Sequence, residues 1–312
     1  MKPPDRLVVI LGPTASGKSA LGIWLAERLG GEVLACDSTQ VYRHFEVGTA
    51  KVPPAERRGI PHHLLDLVEP SEIFTAGEYR RRALEVLEDV KQRERLPILT
   101  VGTGLYLRAL LEGLADAPAR SEELRARLRE RAVRRGAAHL HRLLARLDPA
   151  TAARIAARDT QKVIRALEMR LLAGRTVSEI HRSGRKGLEG YRIHKIGVSP
   201  PRAQLYARIA ARVEAMLLAG WLEEVKALLV QRVPVTAKPF EFIGYSELRE
   251  HLEGRLSHRE AVKQIQQATR RYAKRQITWF RREHGVEWFV GFGDAPEIQE
   301  AVLAHLAQSS DG

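Results

Sequence analysis

Residues 12–19 read Gly-Pro-Thr-Ala-Ser-Gly-Lys-Ser, a full G-x-x-x-x-G-K-[ST] pattern set between an apolar run and a helical one. Leu7–Leu11 has the length of a buried strand, and Leu21, Leu25 and Leu29 share one face of a helix over residues 20–29. Strand, glycine-bounded turn and helix in that order are what a phosphate-binding loop requires, where an ordinary glycine turn needs neither neighbour. Successive backbone N–H groups from Thr14 to Lys18 form a concave anion site at a helix N-terminus. The phosphate-binding set is therefore Gly12, Thr14, Ala15, Ser16, Gly17, Lys18 and Ser19. Lys18 supplies a charged donor to an outer phosphate, and the Ser19 hydroxyl suits a magnesium ion. The loop does not say which phosphate compound is held or what is transferred.

The alternation continues. Glu32–Cys36 reads as a second core strand ending at Asp37, and residues 48–69, rich in Pro, Gly and His, read as a loop-bearing segment. Tyr79, Ala83, Leu87 and Val90 give residues 76–95 a helical period, followed by an Ile98–Val101 strand. Such alternation predicts an α/β fold, a P-loop nucleoside-triphosphate-hydrolase-like parallel sheet covered on both faces. Between about residues 116 and 190 the strands stop and helices are expected over 122–147 and 159–174, which reads as a helical insertion domain. Ile193–Val198 returns to the sheet, followed by helices near 202–219, 221–230 and 258–283, and the final Ser-Ser-Asp-Gly is expected to fray. The predicted organisation is a first core segment at 1–115, the insertion at 116–190, and a return to the core at 191–312.

The chain has 312 residues, enough for a sizeable core, and neither a signal-peptide pattern nor an apolar run of membrane-spanning length is expected to interrupt a cytoplasmic fold. One cysteine, Cys36, excludes an intramolecular disulfide and a cysteine-based metal cluster, and its neighbours place it on a buried strand. The 51 Lys and Arg residues outnumber the 38 Asp and Glu, a net charge of +13 that favours a polyanionic partner or simply solvates the surface. Location sharpens this: from Arg259 to Arg282, eight basic residues, Lys274 and Arg275 among them, face only Glu260.

Three loops fall on the C-terminal edge of the expected sheet, where ligands of open α/β folds collect: residues 12–19, Asp37–Gln40 and Gly102–Tyr106. Asp37 can hold magnesium, organise a basic group, accept a proton, or merely cap a helix. The Thr103 hydroxyl can meet a phosphate or hold a flipped base, and Tyr106 can pack at the pocket edge. Arg208 and Arg212, one helical turn apart, either neutralise a leaving diphosphate or lie in solvent. Arg158, Lys162 and Arg165 share the polar face of the second insertion helix. His62-His63 and the His139/His141 pair lack the acidic or cysteine partners of a metal site, and loop packing or surface placement accounts for them. Trp279-Phe280 reads as core packing, with one ring free to border nucleic acid.

Together these motifs resemble the tRNA dimethylallyltransferases, also called tRNA isopentenyltransferases. The resemblance runs from Gly12–Ser19 through Asp37-Ser38-Thr39-Gln40-Val41-Tyr42, Gly48-Thr49-Ala50-Lys51 and Pro61-His62-His63 to Gly102-Thr103-Gly104-Leu105-Tyr106. It continues in Asp159-Thr160-Gln161-Lys162, Arg165-Ala166-Leu167-Glu168, Ile243-Gly244-Tyr245, Tyr272-Ala273-Lys274-Arg275-Gln276 and Thr278-Trp279-Phe280. It implies transfer of a dimethylallyl group from dimethylallyl diphosphate to N6 of adenosine 37 beside a tRNA anticodon. Asp37 then acts as general base, Thr103 lies near the reacting groups, and the phosphate loop, with Arg208 and Arg212, holds the diphosphate. Mg²⁺ is the expected cofactor and the chain is expected to act as a monomer. Contacts to tRNA are implied for Asp37, Ser38, Thr39 and Gln40, and for Gln161, Lys162, Val163, Ile164 and Arg165 beside Arg158; Lys274 and Arg275 of the basic strip complete the expected interface.

The chain departs from the family pattern at Val101, where a second glycine is common, at Lys162, where arginine is common, and at Glu241, where glutamine is common. Two other readings stay open on the residues alone. A P-loop kinase for a nucleoside or small metabolite would use Lys18 and Ser19 equally well. A non-catalytic RNA-binding protein would use the basic strip but leave Asp37 unexplained.

Overall fold

Five consecutive apolar residues, Leu7–Leu11, can be satisfied only where both faces of a strand are covered, and they lie at the centre of the sheet without exposure. A computed structural model describes residues 5–182, 186–231 and 233–308. Six strands, β1 (Asp5–Leu11), β2 (Gly31–Cys36), β3 (His62–His63), β4 (Leu96–Val101), β5 (Tyr191–Val198) and β6 (Val286–Phe289), form one sheet in the order β3-β2-β4-β1-β5-β6. Every pairing is parallel, with Val8 opposite Ile98 and His194 across β1's two neighbours. The expected fraying of the Ser-Ser-Asp-Gly segment lies outside the described residues.

Successive side chains of a strand point to opposite faces. Val8 and Ile10 therefore meet α1 (Lys18–Leu29), whose Leu21, Trp24 and Leu25 join Ile298, Val302 and Leu306 of the last helix in one core cluster. On α2 (Ala76–Gln92) the buried residues are Tyr79, Ala83, Leu87 and Val90; the Tyr79 hydroxyl donates to Ala35 O of β2 at 3.2 Å. Tyr106 of α3 (Gly104–Glu112) stacks on Tyr79 with centroids 4.4 Å apart, so it belongs to the core more than to a pocket edge.

The chain divides into two compact units, residues 1–110 with 189–312, and residues 111–188. The second is helical: α4 (Glu122–Arg135), α5 (Ala137–Leu147), α6 (Pro149–Ala152), α7 (Thr160–Ala173) and α8 (Val177–Arg182). The single helix expected over 122–147 is broken at Gly136, whose φ of 82° is left-handed and ends the run. The first unit resumes with α9 (Arg202–Leu218), α10 (Trp221–Val230), α11 (Tyr245–Leu252), α12 (His258–Phe280) and α13 (Pro296–Gln308). Ser257 and Glu260 form a capping box at the start of α12. Its Ala261, Ile265, Ala273, Gln276 and Phe280 face inward, leaving the basic residues outside. No helix among the described residues is long and apolar enough to cross a membrane.

The helical unit is pinned by Glu168, a carboxylate without exposure that receives two bonds from Arg125 (2.9 and 2.8 Å), one from Arg165 (2.6 Å) and one from Ser121 N (2.7 Å). Burial alone would raise its pKa, but these donors hold it down to about 2. Since the folded value lies below the ordinary 4.5, its stabilising contribution is full above that pH and is lost as pH falls toward 2. Glu168→Ala is expected to destabilise this unit by about 3 kcal/mol, from the cost of leaving a buried ion pair half made. Thermal melts at pH 7 and pH 3 check it, with a smaller difference from the parent chain at pH 3.

Candidate active site

The turn between β1 and α1 carries the phosphate-loop residues, and its shape is imposed by neighbours distant in sequence. Thr14 N donates to Gln276 Oε1 at 2.7 Å, and Gly293 N donates to Ser16 O at 2.8 Å. One amide of the expected anion cradle is thus taken by a side chain of α12, while the buried Ser16 hydroxyl has no hydrogen-bond partner among the described residues. Lys18 curls over the turn and donates to Pro13 O at 2.7 Å. Burial, then repulsion from Arg212, lower its pKa to about 7 against the pull of Asp37.

Asp37 follows the last residue of β2. Its Oδ1 accepts from Thr39 N at 2.8 Å and Thr39 Oγ1 at 2.7 Å, while Oδ2 lies against Gly102, where a Cβ would sit 2.0 Å from it. Gly102 is therefore required by the carboxylate. The third loop is tied to the same strand: Gly102 N and Thr103 N both donate to Cys36 O, at 3.0 and 2.9 Å. Thr103 Oγ1 accepts from Ser38 N at 2.9 Å and donates to Ser38 Oγ at 3.1 Å. The buried Val101 of β4, paired with Cys36, sets this turn without a second glycine. Cys36 is buried, and its thiol is pushed well up by burial.

Gln276 joins the first and third loops. Its Oε1 serves Thr14 N and its Nε2 donates to Gly102 O at 2.8 Å, a carbonyl that also accepts from the Tyr272 hydroxyl at 3.0 Å. A fourth loop, residues 46–51, also borders the site. Glu224 of α10 accepts from Val47 N (2.7 Å), Glu46 N (3.0 Å) and the Tyr245 hydroxyl (2.5 Å). From the other side Gln40 Nε2 donates to Thr49 O and Ala50 O, and buried Lys51 Nζ donates to Tyr42 O at 2.7 Å, to Glu46 at 2.9 Å and to Asp66.

Two adjoining cavities result. One of about 670 Å³ is lined by the phosphate loop, Arg208, Arg212 and Gln276. The other, about 310 Å³, is lined by Thr14, Asp37, Ser38 and Thr39 together with apolar residues of α9 and α10. Arg208 and Arg212 both line the larger one, but differently. Arg208 is held by Asp294 through two bonds, 2.8 and 2.6 Å, whereas Arg212 lines both cavities, its pKa lowered by burial and by Arg208. Ser19 lies exposed at the start of α1 on the larger cavity, with Asp37 also on its wall. Among the described residues no group of three His, Cys, Asp or Glu side chains could hold a metal. The Ser19 hydroxyl fits a hard cation that takes its remaining ligands from phosphate oxygens and water, as Mg²⁺ does.

On the expected RNA side, Arg275 and Glu241 line the smaller cavity, Glu241 also pairing with Lys238, and Lys274 is exposed on α12. Trp279 is 36% exposed with the Arg108 guanidinium 4.9 Å from its ring, while Phe280 is core. In the helical unit Arg158, Gln161 and Lys162 are exposed, Lys162 pairing with Asp159 at 2.6 Å. Val163 and Ile164 are not surface residues: both pack in that unit's core with Leu128 and Leu140, because they occupy the apolar face of α7. Arg165 is engaged by Glu168. His62 Nδ1 meets Ile60 O at 2.8 Å and His63 Nε2 meets Glu32 at 2.6 Å, the packing roles expected of them, although the pair forms the edge strand β3. His141 Nε2 meets Ala152 O and Ile155 O.

The sequence reading omitted Gln276, Tyr272 and Glu224 from the site. Gln276→Leu strands Thr14 N–H and leaves Gly102 C=O with the Tyr272 hydroxyl alone, and should lower stability by about 2 kcal/mol, at about 1–3 kcal/mol for an unmatched buried donor. Denaturant melts check the stability. Lys18 gives a second test: with its pKa near 7 it is mostly neutral at pH 8.5. An anion bound beside it raises that pKa, so diphosphate binding at pH 8.5 should take up close to one proton more than in Lys18→Met, and this excess should vanish well below pH 7. Calorimetry in buffers of different ionisation enthalpy reads it.

A family model described as IPP transferase matches residues 40–283. The tRNA dimethylallyltransferase of Solibacter usitatus is 52% identical over 302 residues, 97% of this chain and 98% of that protein. That of Geobacter metallireducens is 46% identical over 298 residues, 96% of each. Among solved structures, the tRNA isopentenylpyrophosphate transferase of Bacillus halodurans is 36% identical with a TM-score of 0.71, covering 98% of both chains. A eukaryotic dimethylallyltransferase described as acting on tRNA is 26% identical with a TM-score of 0.84, covering 98% of this chain and 79% of that one. With its phosphate loop between the central parallel strand and the first helix, the chain has a P-loop nucleoside-triphosphate-hydrolase-like fold and belongs to the IPP transferase family.

Proposed function

We propose that this enzyme transfers the dimethylallyl group of dimethylallyl diphosphate to N6 of adenosine 37 in the tRNA anticodon loop, releasing diphosphate. The observation that carries this reading is Asp37: one carboxylate oxygen is fixed by Thr39 and the other is held against Gly102, on a cavity wall shared with the phosphate loop. An adenine amino group is a weak nucleophile because its lone pair is delocalised into the ring, so accepting its proton as the new bond forms lowers the barrier. The N6–C1 bond forms, the C1–O bond to diphosphate breaks, and the N6 proton goes to Asp37 Oδ2.

Lys18, Arg212 and the remaining amides of the phosphate loop take up the charge that develops on the leaving diphosphate. Thr103 acts through Ser38, holding the backbone that follows the base. Ser19 would hold Mg²⁺, which when bound supplies further charge neutralisation to the diphosphate. The adenine reaches a carboxylate set in a cavity wall only by leaving its stack, and an unpaired anticodon loop permits that at low cost. Lys274, Arg275, Arg158, Gln161 and Lys162 are assigned to the RNA backbone, where contacts position the loop without reading its sequence.

The test incubates purified protein with dimethylallyl diphosphate, Mg²⁺ and an anticodon stem-loop carrying A36-A37-A38, and locates any allyl group by mass spectrometry. Asp37→Ala should reduce N6 alkylation by about a thousandfold, within the range for loss of a general base, while stem-loop affinity stays within about threefold. Phosphoryl transfer from ATP to an acceptor with no alkylation of the RNA would overturn the assignment.

A further inference from the structure

We propose that Trp221 is the wall that limits the allyl donor to a single five-carbon unit, an inference that rests on the transfer reaction above. The smaller cavity is lined by two chemically different sets of residues. Its lining combines Thr14, Asp37 and Arg212, where leaving group and amine meet, with Ile209, Val213 and Met216 of α9, Trp221 and Phe242. A prenyl chain extending from the reacting carbon has this apolar lining to pack against.

An apolar channel left open there would favour longer donors, since each further isoprene unit would bury more apolar surface. Rejecting them needs an obstacle, because attraction alone ranks the longer chain higher. Met216 is a poor obstacle: its unbranched thioether has three rotatable bonds and yields readily. Trp221 is a good one. It is 2% exposed, and its indole is wedged between two backbones: a Cβ on Gly48 would lie 2.1 Å from Nε1, and one on Gly244 would lie 1.9 Å from Cζ2. The ring also packs edge-on against Tyr245, centroids 5.9 Å apart, and the Tyr245 hydroxyl is anchored on Glu224 at 2.5 Å. Trp221 Nε1 has no hydrogen-bond partner among the described residues. The indole is therefore placed for its shape and stiffness, not for a polar contact.

A longer donor would react by the same displacement, with the N6–C1 bond formed, the C1–O bond broken and the proton passed to Asp37. Equal concentrations of dimethylallyl and geranyl diphosphate are offered together to the full chain with the stem-loop, and the two products are separated by mass. The unmodified chain should incorporate the five-carbon group almost alone. Trp221→Ala should raise the ten-carbon to five-carbon ratio by more than about tenfold, with Trp221→Phe, which keeps an aromatic wedge, in between. A parent chain that uses both donors equally, or a folded Trp221→Phe and Trp221→Ala that keep the parent ratio while still transferring the five-carbon group, overturns the wall and leaves the transfer reading intact. No transfer from either donor by the parent chain overturns both.

Discussion

The carboxamide of Gln276 is the constraint on which the site depends. It is 5% exposed and makes two bonds of opposite sense, accepting from the phosphate loop and donating to the loop after β4. From there the order passes along the sheet edge: Gly102 and Thr103 are bound to Cys36 O, Thr103 holds Ser38, and the Asp37 carboxylate rests on Gly102. Neutral hydrogen bonds of this kind contribute only about 1 kcal/mol each, but an unmatched buried member costs more. The network thus acts less as a source of stability than as a filter on geometry.

The positive groups of the site are arranged against their own preference. Lys18 and Arg212 are close enough for each to be disfavoured by surrounding cations and burial, and Asp37 is the acid that pulls the other way on both. Without an anion this arrangement is costly; with one, the attraction of both cations to it offsets their repulsion. Such prior placement of charge is how a protein stabilises a leaving anion more strongly than water does.

The central strands and the phosphate loop were legible because their signals are local: apolar runs, a glycine-bounded turn, and a helix with leucines four apart. Asp37 and Thr103 were legible as chemistry-bearing residues at strand ends. Gln276 was not, since its partner Thr14 lies 262 residues away and a glutamine inside a basic helix carries no mark of what it will meet. The edge strands β3 and β6, of two and four residues, are too short to show an alternation. Val163 and Ile164 were read by position within a motif, whereas the helical period buries them in their unit's core. Gly136 shows the reverse case, a single residue whose left-handed backbone breaks a pattern that is otherwise continuous.

The phosphate loop occupies residues 12–19, yet it is braced by Gln276, by the amide of Gly293 on Ser16 O, and by Asp294, whose carboxylate would meet any side chain at Gly17. A ribosome making this chain releases the loop well before its braces. Until Asp294 has been synthesised, the segment that looks most like a finished ligand site is a turn without a mould. Termination before codon 276 would therefore spare five of the six strands while removing the parts that give the loop its form, so the nascent chain acquires its anion site only once Asp294 has been made.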